Sequence, residues 1–369
     1  MKVFVIIEPG YNASVWGRTI IEGLRTEAAK KRYELVFVTR RELEPENTDR
    51  LYDGIGKRLL IMVGTSIVWI EGLLRLIEGQ GIHAILVNNI PMRITGNISG
   101  VHNNHDLATK TLLEYLVGNG RGRLALFGVN RNSQADILKD DLVRRMLDSA
   151  KVYYSDGSIS ECYRAFEKDA ASYNGIICTN DIVAVYLMKR LLDAGYRIPE
   201  DCAVVSYGGS VLAEMMTPSL TTVKLNYNEM GRQAVLLYAN LFRNPDKVSV
   251  VTSITCDIVE RESTRGIFGD SGVRLSESYK YSGKNRNINF IGDPDVGRLM
   301  EIEVALTECE RTDLEIIRGI IGGRRMAELS EELFISESTL KYRIKQLLQR
   351  FGCGSRQELA DMLGAYIKP

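Results

Sequence analysis

"GIICTNDIVAVYLMKRLLDAGYRIPEDCAVVSYGG", Gly175–Gly209, decides the fold. It opens on a short apolar run, turns polar at Asn180 and Asp181, becomes amphipathic over 182–194, and returns to a second apolar run ending at Tyr207. Strand, helix and strand in that order form a βαβ unit, whose right-handed crossover makes the two strands parallel. Strands this apolar have to be covered on both faces.

The same alternation runs from Lys2 to about Glu262. "KVFVIIE", "YELVFVT", "RLLIMVG", "HAILVNN", "RLALFGV" and "KVYYSD" are further strand candidates, with helix candidates at 15–31, 66–79, 106–118, 135–149 and 160–172 between them. The pattern predicts an α/β protein with doubly wound parallel sheets. In such sheets a ligand crevice lies at the carboxyl ends of the strands. Those ends are Glu8 to Trp16 (which includes Asn12), Thr65 and Ser66, Asn88 and Asn89, Asn130 and Arg131, Asn180 and Asp181, and Tyr207 to Ser210. Turn formation alone also favours Asn, Asp and Gly there, so a structural and a binding reading both stand at any one position.

Composition narrows the function classes. The 369 residues suffice for two or three domains, and 45% hydrophobic with 25% charged residues matches an ordinary globular protein. No apolar run approaches the roughly 20 residues of a membrane helix. The start, "MKVFVIIEPG", reads as a strand more readily than as a secretion signal, so a cytoplasmic location is expected. Cys162, Cys178, Cys202, Cys256, Cys309 and Cys353 are widely spaced, which fits reduced thiols. With only His83, His102 and His105 besides, no metal or cofactor is expected. No nucleophile, base and orienting group occur together, and no phosphate-binding glycine loop is present, so an enzyme is not expected.

Residues 265–300 are rich in Gly, Ser, Asn and Asp without a sustained period and read as a linker, with helical pattern resuming at Asp295. Thr307 and Glu310 have the spacing of a capping box, opening a helix with Leu314, Ile317 and Ile321 on one face. A short helix over about 326–333 follows. Ser336 then caps a third helix in "LFISESTLKYRIKQLLQRFGCGSR", 333–356, with Leu340, Ile344, Leu347, Leu348 and Phe351 on one face. Its other face is cationic. Between Thr339 and Gln357 stand Lys341, Arg343, Lys345, Arg350 and Arg356 and no acid, in a chain of net charge zero, whereas 301–337 holds ten acids and four bases. Three short helices, the last cationic, suit a helix-turn-helix unit whose final helix enters a DNA major groove.

The quoted 175–209 stretch, with "TPSLTTVKLNYNEMGRQAVLLYANLF" and "IVERESTR", resembles the ligand-binding core of the LacI/GalR family of bacterial regulators, a periplasmic-binding-protein-like fold. The resemblance covers about 1–265. It implies two α/β lobes joined by three crossovers: lobe one from 1–100 and 227–250, lobe two from 103–225 and 252–264. It also implies a small-molecule effector between the lobes, with Asp181 at the family's acidic ligand-contacting position. Trp16 could stack on a sugar or base at the cleft mouth. The sequence departs from the family at Lys139, near its usual arginine, at Tyr207-Gly208-Gly209, where Tyr-Asp-Asp is common, and at Asn103, where the crossover usually has aspartate. These departures weaken a sugar ligand, since an acid and an arginine together grip hydroxyls by charge-assisted hydrogen bonds.

"LTECER" with the 333–356 stretch resembles the LuxR-type DNA-binding domain over about 305–367. That implies groove-facing Lys341, Tyr342 and Lys345, with Ser338, Thr339 and Arg343 nearer the DNA backbone. Ala327 stands where that family commonly has a polar residue on a phosphate, and Arg324 or Arg325 would take over this task. The resemblance also implies pairing of two copies through the last helix, about 355–367, using Leu359, Met362 and Leu363. The expectation is a DNA-binding homodimer in which effector occupancy of residues 1–264 controls a reader at 301–369. The alternative is a regulator whose core is a protein-interaction or dimerisation module that binds no small molecule.

Overall fold

Runs such as Val3–Ile6 and Leu59–Val63 have no polar face, and every residue in both is buried, as strands covered on both sides require. The computed structural model describes residues 1–88, 98–156, 158–243, 248–266, 268–276 and 294–367, with backbone alone at 294–297, 299 and 300. It divides into two units, 1–280 and 281–369.

In the first unit β1 (Lys2–Ile7), β2 (Glu34–Phe37), β3 (Leu59–Val63), β4 (His83–Val87) and β5 (Ile98–Asn103) join β11 (Val251–Ile254) in a six-stranded sheet of order β2-β1-β3-β4-β5-β11, all pairs parallel. A second six-stranded sheet takes β6 (Leu124–Val129), β7 (Lys151–Tyr154), β8 (Gly175–Cys178), β9 (Ala203–Gly208), β10 (Thr221–Lys224) and β12 (Asp257–Val259), in the order β7-β6-β8-β9-β10-β12; only β12 runs antiparallel to its neighbour. Helices α1 (Val15–Lys31), α2 (Pro45–Leu51), α3 (Ile67–Ile77), α4 (His105–Gly118), α5 (Gln134–Met146), α6 (Ile159–Glu167), α7 (Asp181–Asp193), α8 (Val211–Met215) and α9 (Tyr227–Arg243) flank the sheets. Each lobe therefore has a hydrophobic core on both faces of its sheet.

The lobe boundaries differ slightly from the sequence reading. Lobe one's sheet runs to Asn103 and also takes 251–254, because Val251–Ile254 pairs in parallel with Gly100–Asn103; the return to lobe two begins at Asp257. Hydrogen bonds tie the three crossovers together. Asn103 Oδ1 accepts from Asn226 N at 3.2 Å, and Asn104 N donates to Ile254 O at 2.8 Å.

Helices α1 and α9 pack with almost no side chain between them. A Cβ at Gly23 would lie 2.0 Å from Asn228 O, and one at Gly231 2.1 Å from Ile20 O. Beside this crossing the buried Glu27 accepts from Arg232 Nε at 3.2 Å and Nη2 at 3.1 Å. Gly23→Ala would force the helices apart and is expected to lower stability by about 1–3 kcal/mol, read as a shifted denaturant midpoint.

The described residues of the second unit form five helices: α10 (Pro294–Thr307), α11 (Arg311–Ile321), α12 (Met326–Glu332), α13 (Glu337–Arg350) and α14 (Arg356–Gly364). Ile316, Ile317, Leu329, Leu340, Leu347, Leu359 and Leu363 form its core. Helix starts here follow the capping chemistry: Ser336 Oγ accepts from Thr339 N, and Ser355 Oγ from Glu358 N, each at 3.1 Å. Thr307 is not a cap. It ends α10, its hydroxyl donates back to Val304 O at 2.7 Å, and Glu310 caps α11, with Glu310 N donating to Asp313 Oδ2. The expected linker is also shorter, because helix begins at Pro294. Among the described residues no helix is long and apolar enough to cross a membrane.

Candidate functional sites: a cationic helix face and an inter-lobe cleft

On α13 the apolar stripe is buried through Leu340, Ile344 and Leu347, which fixes the opposite face outward. Lys341, Tyr342 and Lys345 are all exposed there, Tyr342 at 63%. Lys341 Nζ lies 3.8 Å from Glu337, an exposed i,i+4 pair of the kind that contributes about 0.3–0.5 kcal/mol and is easily exchanged for a phosphate. Among the described residues Lys345 pairs with no acid. Ser338 and Thr339 are exposed in the first turn, their hydroxyls each 2.8 Å from Ser336 Oγ.

Arg343 departs from the expected role. Its guanidinium donates to Asp313 Oδ1 and Glu310 Oε2, both at 2.9 Å, clamping α13 to the start of α11. It is held inside the unit because its partners lie about thirty residues away in sequence and on the neighbouring helix. Arg324 is paired with Glu332 and its carbonyl accepts from Arg356, so it too is engaged internally. Arg325 is exposed, its backbone N–H capped by Glu328.

In the first unit the carboxyl ends of the two sheets face one another and touch where Ser66 meets Asn132 and Ser133, and this junction is the candidate cleft. On lobe one, Glu8 Oε2 accepts from Thr65 N at 2.7 Å and Ser66 N at 3.2 Å, and Asn88 Nδ2 donates to the buried Tyr11 hydroxyl at 3.0 Å. Burial pushes the Tyr11 phenol well above its usual pKa. Asn12 is exposed, while Trp16 is half-buried against lobe one's core. Asn89 lies outside the described residues.

Lobe two's candidates are mostly engaged internally. Asp181 is 1% exposed; Oδ1 accepts from Ser206 Oγ at 2.5 Å and Thr222 Oγ1 at 2.8 Å, and Oδ2 from Ser210 N at 2.6 Å. Backbone must come close to do this: a Cβ at Gly208, φ 149°, would sit 2.7 Å from Asp181 Oδ2. Lys139 is buried, donating to Thr179 O at 2.7 Å and Asp136 Oδ1 at 3.1 Å, with its ammonium 4.6 Å from the centre of the Tyr207 ring. Burial pushes the Asp136 carboxyl up, and the Lys139 charge opposes it. Tyr207 is buried and donates to Thr109 Oγ1; Asn103 is buried in the crossovers; Arg131 is neutralised by Asp156. Asn180 caps α7. Asp181, Lys139, Tyr207 and Asn103 thus hold the lobe together, since their polar atoms already have protein partners.

Sequence reasoning missed Asn132. From lobe two it reaches the first turn of α3 in lobe one: its carbonyl accepts from Ile67 N at 2.9 Å, its Oδ1 from Val68 N at 3.2 Å, and its Nδ2 donates to Ser66 Oγ at 3.0 Å. With Glu8 and Ser66, it satisfies amides that a helix start otherwise leaves unpaired. The only sequence signal was its place beside Asn130 and Arg131 at a strand end. Tyr227 is the other missed residue, packing against the cores of both lobes.

His105 begins α4 fully inside lobe two, and neither ring nitrogen has a partner among the described residues. Burial first, then Lys139 and His102, hold its pKa well below the ordinary histidine value. Unfolded, it gains a proton below about pH 6.5 while the folded chain does not. Its contribution to stability is therefore complete above that pH and lost as pH falls, at up to about 1.4 kcal/mol per pH unit. Denaturation midpoints between pH 7.5 and 5.5 should show a steeper loss for the native chain than for His105→Phe.

Comparison with known proteins places both units. Residues 113–264 match the periplasmic binding protein-like domain model, and residues 306–363 the model of bacterial regulatory proteins of the luxR family. The HTH-type transcriptional repressor PurR of Vibrio atlanticus is 30% identical over 171 residues, 43% of this chain and 49% of that protein. Catabolite control protein A of Staphylococcus xylosus is 27% identical over 173 residues, 43% of this chain and 53% of that protein. The chain spans about half the length of these curated relatives. Among solved structures, a LacI transcriptional regulator from Bacillus cereus subsp. cytotoxis aligns with a TM-score of 0.59 at 19% identity, covering 71% of this chain and 97% of that one. A CelR–cellobiose complex aligns at 0.57 and 18% identity, over 71% and 84%. Two parallel-sheet lobes stitched by three crossovers have the fold of LacI-type regulators, and the sequence matches agree with the division into two units: the chain carries a periplasmic binding protein-like domain over residues 113–264 and a luxR-family domain over residues 306–363.

Proposed function

We infer that the chain is a DNA-binding transcriptional regulator whose two-lobed core responds to a small molecule. The observation that carries this reading is α13, where Lys341, Tyr342 and Lys345 stand exposed opposite a buried aliphatic stripe. The lysines supply phosphate or guanine-edge contacts, Ser338 and Thr339 sit at the backbone end, and Arg343 orients the helix from within the unit. Arg325, exposed two residues before Ala327, supplies the phosphate bond that an alanine side chain cannot make.

The effector binds between the lobes, near Asn12, Trp16, Ser66 and Asn180, where it alters the closure that Asn132 holds. Regulation requires different affinities for open and closed forms. Because Lys139 and Arg131 are paired with Asp136 and Asp156, and the buried Asp181 carboxylate already accepts three hydrogen bonds, this cleft suits an uncharged, hydrogen-bonding effector. Two copies act together: Ile182, Val211, Leu212 and Met215 leave apolar side chains exposed on α7 and α8, suited to a second core, with Met362 of α14 available in the reader.

Selection of bound fragments from random duplex DNA by the full chain tests the function. The reading predicts enrichment of a sequence with two-fold symmetry; recovery of unenriched DNA opposes it.

A further inference from the structure

We propose that residues Gly269–Ser276 form a strap that anchors the chain leading to the C-terminal unit onto lobe two, and that α4 and α5 couple this anchor to the inter-lobe cleft. By composition alone this stretch reads as linker. Its exposure instead alternates, with Ser271, Val273 and Leu275 half-buried and Gly272, Arg274 and Ser276 exposed. Val273 and Leu275 pack against lobe two's core, and Ser276 N donates to Met146 O, the last residue of α5, at 2.9 Å.

The seat is built to receive it. Helix α4 ends at Gly118, and the next turn contains Gly120 and Gly122. A Cβ at Gly122 would lie 2.6 Å from Val273 Cγ2 and 3.1 Å from Ser271 Cβ; one at Gly120, φ 82°, would lie 3.2 Å from the Gly269 carbonyl carbon. A larger residue at 122 would evict the strap without touching the sheet.

Both helices under the strap start at the cleft. Helix α4 begins at the crossovers, where Asn104 is bonded to Ile254, and α5 is capped by Ser133, next to the Asn132 contact with lobe one. Each is about 20 Å long, so a rigid element joins each cleft feature to the strap seat. Opening at Asn132 displaces the start of α5, and its far end carries the carbonyl that holds Ser276. The chain continues from there through 277–293 to α10. The coupling rests on the regulator reading; the anchoring does not.

Residue-resolved amide exchange on the full chain, without DNA, tests both parts. Ser276 N–H should exchange at least about tenfold more slowly than in a free peptide. Gly122→Val should remove that protection, and the milder Val273→Ser should reduce it, while the Ile177 amide in β8 stays protected as a check on folding. Asn132→Ala, at the other end of α5, should change Ser276 protection by about threefold. An unprotected Ser276 in the native chain, or protection that survives Gly122→Val, overturns the strap. Equal protection in the native chain and Asn132→Ala overturns the coupling. Because the assay contains no DNA, these outcomes stand whether or not the chain binds a duplex.

Discussion

Replacing Lys341 and Lys345 together by alanine is expected to weaken binding to the selected DNA about 100-fold. Each contact of this kind is worth about 1–3 kcal/mol, and 1.4 kcal/mol is a factor of ten. Both side chains point away from Leu340, Ile344 and Leu347, so their truncation leaves the core of the unit untouched and the midpoint of unfolding should stay constant. Loss of affinity with unchanged stability separates a groove-facing role from a structural one, and a lower melting temperature in the double variant would refute that placement. Arg343 is the contrast, because its two bonds to Asp313 and Glu310 lie inside the unit and its removal loosens α13 itself.

The second large effect is expected at Asp181. Truncation to alanine strands the hydroxyls of Ser206 and Thr222 and the Ser210 amide in a buried site, at a cost of about 3–5 kcal/mol. For a lobe of this size the melting temperature should fall by about 10 °C. Asp181→Asn keeps one acceptor oxygen for the two hydroxyls but turns its side-chain NH2 toward the Ser210 amide, donor against donor, so it should recover only part of the deficit. If Asp181→Ala melts like the native chain, the carboxylate is not the internal keystone that its three short contacts indicate.

These two sites show what the sequence made legible and what it could not. The strands of both lobes were readable because a strand buried on both faces has to be continuously apolar, as Leu59–Val63 and Leu124–Val129 are. The α13 helix was readable because period, cap and charge lie within twenty residues of one another. Side-chain engagement was not, because it depends on distant partners. Asp181 meets Ser206 and Thr222 only once β9 and β10 lie side by side, and Arg343 meets Asp313 only once α11 and α13 pack. Thr307 was ambiguous for a local reason: a threonine hydroxyl bonds equally well forward to an amide or back to a carbonyl, and the length of α10 decided between them. The strap was hidden by composition, since its glycines make it look like linker, whereas the seat is made by Gly120 against Gly269 and by Gly122 against Val273 and Ser271.

Part of the cleft's chemistry follows from the same internal pairing. With Asp181, Lys139 and Arg131 already partnered, Ser66 and Asn132 are polar groups that meet across the lobes. An effector that binds there competes with Asn132 for the first amides of α3, so Asn132→Ala should favour the open form even without ligand.

The most direct test of the account is the salt dependence of binding to the selected duplex by the intact chain. The prediction is an affinity that falls steeply and log-linearly with salt, with a slope shallower by about two in the Lys341→Ala, Lys345→Ala variant. No binding at low ionic strength, or a slope that the double substitution leaves unchanged, would contradict it.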